Sequence, residues 1–223
     1  MLDEYFEWMK ERCGKFTASE IHRLMTSGRG GKYFSADGEK YIRSKAAEIL
    51  TQEINNGGRR NTDAMEWGNS HEQEAFARFL NDMKVTDADY NGGGNPVFIE
   101  YSPWCGGSPD GKVVIDGEKR LIEIKCPYNS GEHAEHLLMN TQDDLLDYKP
   151  EYFYQICANL IFLNLKRGYL ISYDPRYVEP PLQIKILPVE ITEEVEAIIK
   201  ERISEAEKQL KVLVAQIRDT VIA

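Results

Sequence analysis

No run of about 18 apolar residues occurs in this 223-residue chain, which excludes a membrane-spanning helix. The four cysteines, Cys13, Cys105, Cys126 and Cys157, lack CxxC spacing. That argues against a zinc or iron–sulfur centre and against a secreted disulfide framework. The four histidines form no ligand pair and read as ordinary surface residues. Gly28-Arg29-Gly30-Gly31-Lys32 is a flexible basic loop without the Lys-Ser/Thr ending of a phosphate-binding loop, so nucleotide binding is not expected. Met1-Leu2-Asp3-Glu4 is acidic and has no apolar signal core, which makes the cytoplasm the expected compartment. Positive charge is also short. The net charge of −10 is awkward for a nucleic-acid partner, because phosphate neutralisation drives that affinity. The shortage is uneven, however: residues 12–45 carry eight Lys/Arg against three Asp/Glu. Such a distribution is compatible with a confined basic groove on an acidic body.

What is present is the patterning of one substantial α/β domain over residues 1–223. Apolar spacing predicts helices over residues 2–12, 37–53, 62–83, 132–140 and 150–164, the last opened by Pro150. Thr17 or Ser19 is positioned to N-cap a further helix carrying Ile21, Leu24 and Met25. Strands are predicted over 97–100, 112–115, 120–125, 169–173 and 183–189. Loops are predicted over 55–61, 85–95 and, acidic in character, 141–147. Residues 192–222 form one long amphipathic helix, whose apolar stripe covers the sheet or joins a subunit contact. This order implies a central mixed sheet flanked by helices.

The chemistry concentrates in residues 106–127. Two β-type runs flank Asp116-Gly117, a strong hairpin signal. If those two residues are the loop, Ile115 pairs with Glu118, and counting outward sets Asp110 opposite Glu123. Lys125 then shares Glu123's face. A loop two residues longer would instead set Asp110 opposite Lys125, with Glu123 as its diagonal neighbour. Either way three charged groups converge on one face. Opposed carboxylates repel unless a cation lies between them, and Mg²⁺ prefers such oxygen ligands. Lys125 is then placed to orient a water or to stabilise charge on a reacting phosphate.

Pro109-Asp110 followed by Glu123-Ile124-Lys125 resembles the PD-(D/E)xK nuclease signature, in particular that of the lambda exonuclease family, also called YqaJ-like viral recombinases. Further blocks follow in order from about residue 12 to residue 176. Arg12 with Thr17-Ala18-Ser19 resembles the family's phosphate-binding block. Trp67-Gly68 with Glu72 resembles a helix carrying an acidic residue that supports the metals. Gln155 matches a glutamine of the following helix, and Tyr173-Asp174-Pro175-Arg176 a late block. The resemblance implies a restriction-endonuclease-like fold and Mg²⁺-dependent 5′→3′ digestion of one strand of linear duplex DNA. It implies two Mg²⁺ ions, with Mn²⁺ as a substitute, held by Asp110, Glu123, Glu72 and the Ile124 backbone carbonyl. Lys125 would position the attacking water. Arg12, Ser19, Ser108 and Gln155 would form a 5′-phosphate pocket. Met65 stands where the family can place a leucine that wedges the end base pair apart. A ring-shaped homotrimer and a single-strand annealing protein as partner are implied as well. The alternatives are a restriction- or repair-type endonuclease of the same core and a non-catalytic DNA-end-binding protein.

Overall fold

The structure is a computed structural model that describes residues 2–54, 63–92 and 97–222. The elements, in chain order, are α1 (Leu2–Arg12), β1 (Phe16–Thr17), α2 (Ala36–Thr51), α3 (Asp63–Met83), β2 (Ala88–Tyr90), β3 (Ile99–Ser102), β4 (Cys105–Gly107), β5 (Gly111–Ile115), β6 (Glu118–Lys125), α4 (Ser130–Leu138), α5 (Gln142–Tyr148), α6 (Pro150–Phe162), β7 (Arg167–Tyr173), β8 (Ile184–Glu190) and α7 (Glu193–Ile222). A five-stranded mixed sheet has the order β2-β5-β6-β7-β8, in which only the central pair β6/β7 is parallel. A smaller sheet, β1-β4-β3, stands beside it.

Strand β6 is buried on both faces and alternates between them. Leu121 joins a core shared with α2, α6 and α7, whereas Ile122, Ile124 and Cys126 join a second core with Ala75, Phe76 and Phe79 of α3. By the period of two, Glu123 and Lys125 share the face of Leu121 and point to the α6 side. The hairpin closes as the two-residue loop requires: Asp116 and Gly117 have φ of 55° and 78°, and Ile115 pairs with Glu118. Extending the register one residue beyond Gly111–Ile122 sets Asp110 against Glu123.

Several expectations are corrected. Residues 141–147 are not a loop. Thr141 and Asp144 form a reciprocal capping box that opens α5, whose Leu145 is buried in the larger core. Within the expected loop 85–95, Ala88–Tyr90 pairs with β5 as an edge strand. The segment after Thr17 is a 3₁₀ helix, Ala18–Leu24, and Thr17 caps it with no side-chain bond; its Oγ lies 3.3 Å from Ser19 Oγ. A further 3₁₀ turn occupies Arg29–Gly31 of the basic loop. The expected loop 55–61 lies outside the described residues. Five of the eight cations in residues 12–45, Lys15, Arg23, Lys32, Arg43 and Lys45, sit in ion pairs with acidic side chains, and for Lys15 and Lys45 the acid lies outside that segment.

The histidines also depart from a surface reading, since His133 and His136 are fully buried. Their Nδ1 atoms each lie 2.8 Å from Ser172 Oγ, and His133 Nε2 lies 2.9 Å from the Leu182 carbonyl oxygen. A carbonyl only accepts, so His133 donates through Nε2, and its neutral ring accepts the Ser172 proton at Nδ1. Ser172 has then spent its single proton, so His136 must donate from Nδ1. Burial pulls both imidazoles below their ordinary range, His136 to about 4. The stability held by neutral His136 is present above its unfolded value of 6.5 and is lost as pH falls towards about 4. The ceiling on that contribution is roughly 3 kcal/mol. Tm should therefore drop more steeply across this window in the wild type than in His136→Gln; parallel curves would contradict the assignment.

Candidate active site

Three elements deliver the charged side chains. The β4–β5 connection carries Ser108, Pro109 and Asp110, β6 carries Glu123 and Lys125, and α6 faces them with Gln155 and Asn159. Asp110 Oδ2 accepts a 2.7 Å bond from the Ile124 backbone N–H, which ties it across the hairpin. Its own carbonyl accepts from Asn91 N at 2.8 Å. Glu123 is only 1% exposed. Its Oε1 accepts from Lys125 Nζ at 2.9 Å and from Gln155 Nε2, and its Oε2 accepts from Asn159 Nδ2 at 3.3 Å. Gln155 Oε1 in turn accepts from Lys125 Nζ at 3.1 Å, so glutamate, lysine and glutamine form a closed ring. The Lys125 ammonium also lies 5.0 Å from the centre of the Tyr152 ring.

Electrostatics follow from this crowding. Burial first, and then the Glu123 carboxylate, push Asp110 well above the usual carboxylate range; Lys125 and the Ile124 N–H oppose the shift, and Glu72 adds to it. Burial pulls Lys125 down, but Glu123 and Asp110 outweigh it and hold the ammonium above its ordinary value. Among the described residues no group of three or more His, Cys, Asp or Glu side chains is arranged to hold a metal ion, so Asp110, Glu123 and Glu72 do not form one cluster. The donor set is two carboxylates with a nearby main-chain carbonyl, all oxygen. That suits Mg²⁺, which keeps water and substrate phosphate in the rest of its shell. Cys126 does not enter this set: burial raises its thiol, and it packs in the core under α3.

A cleft of about 250 Å³ opens beside Asp110, while Glu123 and Lys125 are not among the residues that line it. Arg12, Ser19, Met65, Glu72, Ser108, Asp110 and Gln155 all line it, although they come from segments more than 140 residues apart. Among the described residues, Arg12 is the one member of the eight cations in residues 12–45 that does so. Met65, Asn69 and Glu72 recur at helical spacing on one face of α3, and Met65 is 43% exposed. Gln155 both lines the cleft and braces Glu123, a double position not visible from its place in the sequence.

The sequence reading passed over Trp8 and Asn159. Trp8 Nε1 donates to Ser108 Oγ at 2.9 Å, and the Arg12 guanidinium lies 4.2 Å from the indole centre. The available signal was spacing: Trp8 precedes Arg12 by four residues on α1, and Asn159 follows Gln155 by four on α6. The late block has a bracing position. Asp174 is fully buried and accepts three bonds from Arg176, one from its backbone N–H and two from its guanidinium, which also donates to the carbonyls of Pro127 and Tyr128 and stacks over Trp67 at 4.3 Å. It thereby ties the exit of β6 to the end of β7 and to α3.

Residues 7–165 match the YqaJ-like viral recombinase domain. The chain belongs to this family. Among solved structures it is similar to an alkaline exonuclease, LHK-Exo, from Laribacter hongkongensis, with 25% identity, 97% of each chain covered and a TM-score of 0.76. LHK-Exo in complex with dAMP superposes with a TM-score of 0.78 at the same identity and coverage. A phage-related exonuclease from Haemophilus somnus 129PT, 15% identical, has the same fold, covering 91% of this chain and 96% of its own with a TM-score of 0.69. No match is found among curated proteins. Among the described residues no helix is long and apolar enough to cross a membrane.

In this YqaJ-like domain Lys125 is the cation that balances a nearly inaccessible glutamate. Removing one partner of such a pair costs about 3 kcal/mol or more. Lys125→Met should lower unfolding stability by roughly that amount in chelator at pH 8, measured by urea titration. Adding Glu123→Gln to that background should recover most of the loss. Full stability in the single variant would contradict the charge assignment.

Proposed function

We propose that this chain is a Mg²⁺-dependent exonuclease that digests linear duplex DNA from 5′ ends and leaves 3′ single-strand overhangs for homologous recombination. The observation that carries this reading is the Asp110–Glu123 opposition beside Lys125, with Asp110 lining a cleft that Arg12, Ser19 and Ser108 also line. Family membership and the similarity to an alkaline exonuclease, one form of which holds dAMP, support it.

In this reading Asp110, Glu123 and the Ile124 carbonyl hold the cation, with Glu72 assisting from the cleft wall. Bound Mg²⁺ supplies polarisation of the scissile phosphate and a reactive water at neutral pH. Lys125 orients that water and balances charge as the phosphate becomes more anionic. A terminal 5′-phosphate carries more negative charge than an internal phosphodiester. Arg12, held by Trp8, presents a planar fork to it, while Ser19, Ser108 and Gln155 offer neutral donors. Ser108 lies two residues from Asp110, so the pocket that holds the end also sets where the cut falls. Met65, apolar and exposed at the cleft, is the candidate wedge against the end base pair. Assembly as a ring-shaped trimer, with an annealing protein to receive the overhang, completes the reading on the ground of family membership.

The test uses three substrates, linear duplex with 5′-phosphate ends, linear duplex with 5′-hydroxyl ends and closed circular duplex, each with Mg²⁺ and with chelator. The 5′-phosphate duplex should be digested fastest and the circle spared, with all cleavage lost in chelator. Asp110→Asn should reduce the rate on the order of 10³-fold, and Arg12→Ala should shrink the preference for phosphorylated ends about tenfold. Cutting of the circle at the linear rate would favour an endonuclease and overturn the reading.

A further inference from the structure

Asn159 is 1% exposed, buried as deeply as the glutamate it touches. It stands one helical turn beyond Gln155 on α6, so both amides face β6. The division of work between them is unequal. Glu123 Oε1 is shared by Lys125 and Gln155, whereas among the described residues the partner of Oε2 is Asn159 Nδ2. An ionised carboxylate only accepts, so the amide must turn its NH₂ towards Glu123 and its oxygen away. That oxygen, Oδ1, is buried and meets no hydrogen-bond donor. It lies instead over Gly107, where a Cβ would come within 2.2 Å of it. Gly107 ends β4, three residues before Asp110. Asn159 therefore spans the two arms of the site, bonded to one carboxylate and seated against the backbone that leads to the other.

An amide with one end unsatisfied is a poor choice for core stability, and an aliphatic side chain of the same size would fill the space without that cost. The same amide adds a third hold on the Glu123 carboxylate, at the oxygen that Lys125 and Gln155, both on Oε1, do not touch.

We propose that Asn159 is a positioning residue that orients Glu123 Oε2 for the catalytic cation, acting through the glutamate and never touching DNA. The inference rests on the cation reading of Asp110 and Glu123. Groups that orient a metal ligand from behind typically change metal affinity about 10- to 100-fold.

The experiment compares wild type, Asn159→Leu and the smaller Asn159→Thr. Each is confirmed folded by circular dichroism and Tm. Ca²⁺ binding is measured by calorimetry, and digestion of linear duplex is measured against Mg²⁺ concentration. Both variants should keep Tm within a few degrees of the wild type, bind Ca²⁺ about tenfold more weakly and need correspondingly more Mg²⁺ for half-maximal rate. Saturating Mg²⁺ should restore much of kcat, and KM for DNA should not move. A merely structural asparagine would give no rescue by Mg²⁺. Unchanged Ca²⁺ affinity in a folded variant overturns the inference and leaves the exonuclease reading standing. Failure of the wild type to bind Ca²⁺ or respond to Mg²⁺ overturns the reading beneath it.

Discussion

Two carboxylates brought face to face in a partly closed site repel each other, and much of this structure exists to hold them there. Asp110 and Glu123 meet because a two-residue turn with positive φ at Asp116 and Gly117 fixes the register of β5 against β6. Glu123 is buried on the central strand of the sheet, where an isolated negative charge is expensive. Its cost is offset by one ammonium and two amides, all arriving from the same side. Asp110 keeps less compensation, a single main-chain N–H and a more distant lysine, and its raised proton affinity follows. In the proposed reading, a divalent cation between the two would remove that repulsion.

The helices divide into those that support this centre and those that shape access to it. Helix α6 enters the core with Ile156, Cys157 and Leu160 and presents its polar stripe, Gln155 and Asn159, to β6. Helix α3 covers the opposite sheet face with Ala75, Phe76 and Phe79, yet turns Met65, Asn69 and Glu72 into the cleft. Helix α1 closes the cleft with Trp8 and Arg12. The segment that follows Arg12 is anchored by Gly14, whose N–H donates to the buried Glu48 carboxylate at 2.9 Å, and Gly14 needs its positive φ of 73° for this turn. Arg12 is thus placed by a buried ion pair, Lys45–Glu48, as well as by its own stacking on Trp8.

The central hairpin was legible from Asp116-Gly117 alone, because a turn of fixed length converts sequence separation into spatial pairing. The long helices were legible too, since α2, α3, α6 and α7 carry clear apolar periodicity. What escaped was local or long-range polar bonding. Helix α5 hides in an acidic stretch, and its start depends on the reciprocal bonds of Thr141 and Asp144. His133 and His136 look like surface residues because nothing in a linear reading places Ser172 between them. Asn159 carries no motif; its importance arises from what lies opposite it.

The proposed chemistry depends on a cation seated between the two opposed carboxylates. Crystals soaked in Mn²⁺, with anomalous diffraction recorded at the manganese edge, test this directly. The predicted result is a peak in contact with Asp110, Glu123 and the Ile124 carbonyl, absent from crystals of Asp110→Asn. A clean map at these residues, or manganese bound only elsewhere on the molecule, would contradict the central claim.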